Sequence, residues 1–188
     1  MQAKLPEKKD ATIGYFTVVE EEQTGWTGGL LTLDRAGRPL EFQCTLPVRP
    51  TRAHEILYGP TLRSHLIAEV IGPTLLKKSR TPLSILCVDL PESVGVEPSA
   101  DAPVALSSIV SADNTPAGGG VQSDPPQGNE VVDIAGASFL VAMENVGHVR
   151  ALAPMYDDLP DPIEPFERIR EAIKEAQSQL SRQNSDAA

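Results

Sequence analysis

The chain reads as an α+β protein: a mainly antiparallel sheet with helices packed on one face, interrupted by a long acidic insert and closed by an amphipathic helix. Three observations carry that reading. Short runs rich in β-branched and aromatic residues cluster in the first half of the chain. A stretch of helical periodicity follows them. The middle then loses all hydrophobic pattern, before strand-like and helical segments return.

The elements follow in order. Residues 1–11 form a polar N-terminal tail, and 12–89 supply the first part of the domain. Thr12 to Glu20 is a strand. Gly28 to Asp34 is a second, joined through Asp34-Arg35-Ala36-Gly37 to a third over 38–46. In that turn Asp34 can accept local backbone hydrogen bonds and Gly37 can take a positive φ. Along the third strand Leu40, Phe42, Cys44 and Leu46 alternate with Glu41, Gln43 and Thr45, which predicts a half-buried strand with its apolar side inward. The hairpin over 28–46 resembles those of small sensory and adaptor domains of the PAS or roadblock type, and no family is identified from it.

Pro47 to Pro50 ends the strand, and Thr51 is placed to cap a short helix near 52–58. A longer helix is expected over 60–77, kinked near Pro73, with Leu62, Leu66, Ile67, Val70, Ile71, Leu75 and Leu76 turned to the sheet. Leu83 to Asp89 suits a central strand. Residues 90–130 are rich in Pro, Ser, Gly, Ala and acids, and are expected to be disordered, because so little apolar area cannot offset the entropy of ordering. Strands return over 131–153, at Val131–Ala135, Ala137–Met143 and Val146–Leu152. Residues 154–182 comprise an acidic connector and a helix whose Phe166, Ile169, Ile173 and Leu180 recur at helical spacing. A tail over 183–188 ends the chain.

Composition narrows the function classes. Two cysteines, Cys44 and Cys87, each lie in an apolar run and make no disulfide framework, so a cytoplasmic protein with two buried thiols is expected. No apolar run approaches the ~20 residues needed to cross a membrane. The net charge is −10, unevenly spread: residues 90–134 hold seven acids and no base, whereas 35–80 hold eight bases against three acids. The pI near 4.7 argues against nucleic acid as a partner, and the basic stretch carries little aromatic interleaving.

No phosphate loop, dinucleotide fingerprint, nucleophile elbow or HExxH motif is present, and no His or Cys pair has zinc spacing, so no cofactor or metal is expected, and an enzyme, with its site at the 45–58 junction, is the less favoured reading. The principal expectation is a non-catalytic protein-binding or adaptor protein. In that role Phe166, Ile169, Ile173 and Leu180 would meet a protein partner or a second copy. The alternative is a small-molecule or anion site at the strand-to-helix junction 45–58, built from Arg49, Thr51, Arg52, His54 and Tyr58, where helix N–H groups and guanidinium forks could hold an anion.

Overall fold

Strand β1 (Thr12–Glu21) is apolar on both faces, and the structure explains why: it lies in the interior of a seven-stranded sheet. The computed structural model describes residues 11–108 and 127–186. The other strands are β2 (Gly25–Asp34), β3 (Pro39–Cys44), β4 (Ile85–Val88), β5 (Val104–Ser107), β6 (Asn129–Ile134) and β7 (Ala137–Ala142), in spatial order β3-β2-β1-β4-β5-β7-β6. The pairs β1–β4 and β4–β5 are parallel, and the remaining four are antiparallel. Overall the α+β expectation holds, with a mostly antiparallel sheet.

The hairpins form where turn chemistry permits. At the β2–β3 turn the Asp34 carboxylate accepts from the N–H groups of Ala36 and Arg38, and Gly37 takes φ +82°. At the β6–β7 turn Ala135 and Gly136 both have positive φ, as a two-residue turn of this hand requires.

Helices cover both faces, which corrects the one-face expectation. The helices are α1 (Arg52–Tyr58), α2 (a continuous helical run over 62–78), α3 (Val146–Leu152) and α4 (Glu164–Asp186). Beneath α2, one core gathers Phe16, Leu30, Leu86 and Val88 with Leu66, Ile67, Ile71 and Leu75. On the opposite face Ile13, Tyr15, Leu31, Leu33, Ile85 and Cys87 pack against α3 and α4. Strict alternation along β1, β2 and β4 feeds both cores, because successive side chains leave a strand on opposite sides.

Two further expectations fail for physical reasons. Residues 90–130 are not patternless throughout: a 3-10 segment, Pro91–Ser99, buries Val96 on Gly72 of α2, and β5 is buried along its length. A four-residue strand paired on both sides needs no alternation of its own, so no periodicity announces it. The rest of the expected insert, 109–126, lies outside the described residues, as do 1–10 and 187–188. Val146–Leu152 is helical rather than a strand, burying Val146, Val149 and Leu152 at helical spacing. Helix α2 also passes through Pro73 without breaking. Its His65–Ile71 part is π-helical, and the Gly72 N–H donates to the Ile67 carbonyl, one residue further back than in an α-helix, ahead of the missing proline donor.

Candidate nucleic-acid interface

The junction residues singled out from sequence prove to be local structure. Thr51 caps α1: its side chain accepts from the His54 N–H (3.3 Å), and His54 Nδ1 accepts from the Thr51 N–H (3.4 Å). Arg52 pairs with Glu55 one turn on, at 2.9 Å. The Tyr58 ring stacks on His65 with centroids 4.2 Å apart. Arg49 donates through Nε to the Thr24 carbonyl. The five residues therefore do not converge on a common pocket, and α1 buries none of its residues.

The presumed partner face lies inside the molecule. Phe166, Ile169 and Ile173 are buried against β1 and β2, Phe166 meeting Tyr15 edge-on at 5.1 Å. The side chain of Leu180 lies outside the described residues. The helix comes this close because β2 offers Gly29 beneath it, where a Cβ would stand 2.3 Å from Ile169 Cγ2.

Sequence reading missed a polar cluster at the C-terminal ends of the parallel strands. Phe16 pairs with Val88 and Val88 with Leu106, so the next residues, Thr17, Asp89 and Ser107, stand side by side on the α4 face. All three are buried. Arg170 of α4 reaches down to form an ion pair with Asp89, and it also pairs with Glu167. Burial pushes the Asp89 carboxyl above the usual carboxylate range. Arg170, and then the nearby Thr17 hydroxyl, draw it back only in part. The Thr17 and Ser107 hydroxyls and Asp89 Oδ1 have no well-formed hydrogen bond to described residues. This is where the chain leaves β1 toward one side of the sheet and β4 toward the other, the usual location of ligand crevices in open sheets. Here α4 fills it. Among the described residues no group of three or more His, Cys, Asp or Glu side chains is gathered as a metal site.

The open surface is the β3 edge. The chain runs along β2 from Pro39 to the bridge between Val48 and Trp26, roughly 30 Å at the rise of an extended strand. The sequence places Leu40, Phe42, Cys44 and Leu46 inward, and the structure reverses this. Glu41 and Gln43 are half-buried, whereas Leu40, Phe42 and Leu46 are 52%, 40% and 74% exposed, and Cys44 is exposed too. The reason is reach: α4 packs on β1 and β2, and the apolar side of the outermost strand extends beyond it. On the other side, Glu41 accepts from the N–H groups of Arg80 and Thr81, which ties the loop after α2 to the strand. A shallow groove lined by Leu40, Glu41, Gln43, Lys78, Arg80 and Thr81 results.

Glu41 sets a pH dependence for this groove. Burial pushes its carboxyl up, but hydrogen bonds from Gln43, Thr81 and Arg80 outweigh that and hold it at about 2, below its ordinary 4.5. A depressed carboxylate stabilises the fold fully above its unfolded value, and the contribution disappears as pH falls from about 4.5 through about 2. Glu41→Gln is expected to cost about 1–2 kcal/mol in urea denaturation at pH 6 and close to nothing near pH 2. Equal stability of the two proteins at pH 6 would mean that the carboxylate does not hold the loop.

Along this edge the cations have no acidic partner. Arg38, Arg49, Lys78 and Arg80 are exposed, as is Lys77 in the last turn of α2, and none forms an ion pair with a described residue. By contrast Arg35, Arg52, Arg63, Arg150, Arg168 and Arg170 each hold an acidic partner.

No protein-family model matches this chain, and no curated protein does. Solved structures do. One is a crystal structure of Ciona intestinalis endonuclease V in complex with a 24mer DNA containing an inosine followed by a ribo-adenosine. It has a TM-score of 0.44 and 11% identity, covering 88% of this chain and 87% of that one. Another holds a variant of the same enzyme with a 23mer DNA of the same kind, at TM-score 0.43 and 9% identity, covering 88% and 86%. Both of these structures hold DNA, and the expectation of a non-catalytic adaptor that meets a protein partner or its own copy, with nucleic acid unlikely, is withdrawn. What this chain binds has to be read from its own residues.

No helix among the described residues is long and apolar enough to cross a membrane.

Proposed function

We propose that this protein binds nucleic acid along the β3 edge of its sheet. The observation that carries the reading is the segregation of charge. In a chain of net charge −10, four cations without acidic partners, Arg38, Arg49, Lys78 and Arg80, stand at one sheet edge, and the other described cations without an acidic partner are Lys77, Lys174 and Arg182, on helices. Arg38 and Arg49 flank the two ends of the β3 segment and Lys78 and Arg80 line the groove beside it, and cations so spaced suit the repeated charges of a polyphosphate better than one small anion. Glu41 lies among them, but N–H donors of the 79–81 loop already surround its charge. The electrostatic contribution of such an edge is sequence-independent and is expected to weaken with salt as its phosphate contacts are screened, while the acidic remainder of the molecule limits the affinity.

The test is fluorescence anisotropy of a labelled 20-mer at two ionic strengths. The wild-type chain is expected to bind at 50 mM salt with micromolar affinity, and log K to fall with log salt at a slope of about 2–4. Reversing two charges in Lys78→Glu/Arg80→Glu is expected to raise Kd about tenfold or more and to flatten that slope, with thermal unfolding unchanged. No binding by the wild type, or equal binding by the double variant, would sink the reading.

A further inference from the structure

The same edge carries a second feature that phosphate contact does not use. On the strand whose flank bears Lys78 and Arg80, the opposite side presents Leu40, Phe42 and Leu46 to solvent, beyond the reach of α4. An apolar stripe gains free energy from any apolar partner, and one beside such cations is matched most fully by a ligand that brings both phosphates and apolar faces. A duplex brings phosphates and keeps its base faces stacked inside. A single strand brings both: its backbone can follow the cations while unpaired bases turn over the strand onto the ring of Phe42. Charge around the stripe also opposes the obvious competitor. A second copy pairing edge to edge through β3 would bring the Arg38, Lys78 and Arg80 charges of both copies to one seam.

We infer that the preferred ligand is single-stranded nucleic acid, with Phe42 as the residue that selects unpaired bases over duplex. This rests on the nucleic-acid reading of the β3 edge.

The experiment compares the full-length wild type, Phe42→Ala and Phe42→Trp on a labelled dT 20-mer and on a 20-base-pair duplex. Sedimentation velocity is run on all three proteins. The wild type is expected to prefer the single strand by about tenfold. Phe42→Ala should lose about that factor on the single strand and nothing on the duplex, and Phe42→Trp should retain it. Phe42 is partly exposed on an outer strand, and unchanged thermal unfolding and duplex binding of Phe42→Ala guard against a folding defect. Equal or tighter duplex binding, unaffected by Phe42→Ala, overturns the single-strand inference and leaves the basic edge standing. Failure of the wild type to bind either nucleic acid overturns both. If Phe42→Ala abolishes self-association while single-strand affinity stays the same, the stripe is an interface between copies, and the inference is again overturned.

Discussion

Replacing Arg170 with Ala is expected to destabilise the protein by about 3 kcal/mol at neutral pH. Asp89 is buried and Arg170 is its counter-charge, held in place from 81 residues further along the chain. Removing one member of a buried pair leaves an uncompensated charge, at a typical cost of 3–5 kcal/mol. The lower end applies because the Arg170 side chain remains 30% exposed and shares its charge with Glu167. The penalty should also depend on pH, with a definite sign. The folded-state pKa of Asp89 lies above its unfolded value, so the ionised form disfavours folding, and stability falls as pH rises through that window. Without Arg170 the pKa rises further, so the deficit of Arg170→Ala is largest at pH 7 and above, and shrinks in mild acid as Asp89 takes up a proton. Urea denaturation at pH 7 and pH 5 measures both terms. Asp89→Asn in the Arg170→Ala background should recover most of the loss, because a neutral amide needs no counter-charge. A deficit below about 0.5 kcal/mol, or one that does not vary with pH, would show that the pair is not the buried unit described above.

Phe166→Ala is expected to cost about 3–5 kcal/mol, the range for removing a buried aromatic side chain from a packed core. Phe166 is fully buried, meets Tyr15 edge-on, and belongs to the same core as Ile169 and Ile173. For a domain of this size the loss corresponds to a fall in Tm of roughly 10 °C. Such a result separates two roles for α4 that its amphipathic spacing cannot separate. A helix whose apolar face served a partner would leave the isolated protein's stability unchanged by Phe166→Ala. A helix that completes the fold carries the full cost, and truncation after Asp161 would then leave the α4 face of the sheet bare and the protein insoluble. Calorimetry on the purified variant decides between them.

The two residue pairs in these predictions also mark how far the sequence could be read. The hairpin over β2 and β3, the Thr51 cap, the helical run after Pro60 and the terminal helix were all legible, because each depends on residues within a few positions of one another. Turn residues, caps and periodicity act locally. Strand β5 was not legible, since its four residues gain their order from neighbours on both sides, β4 and β7, rather than from any pattern of their own. The Asp89–Arg170 pair was not legible either: a lone Asp ending an apolar run and an Arg on a charged helix look solvated until the crossing of α4 over the sheet brings them together.

The β3 edge shows the division most plainly. By itself the sequence determined that residues 39–46 alternate, that one side is apolar, and that the neighbouring segments are basic. Alternation establishes a strand and two faces, and it cannot say which face is covered. That was decided by tertiary structure alone: β3 took the outermost place in the sheet, α4 stopped over β2, and the loop at 79–81 gathered Glu41 on the other side. Burial is a property of what lies opposite a side chain, and the described chain covers Leu40, Phe42 and Leu46 only in part. An apolar stripe that reads as core in the sequence therefore becomes, in the fold, the surface on which the single-strand inference rests.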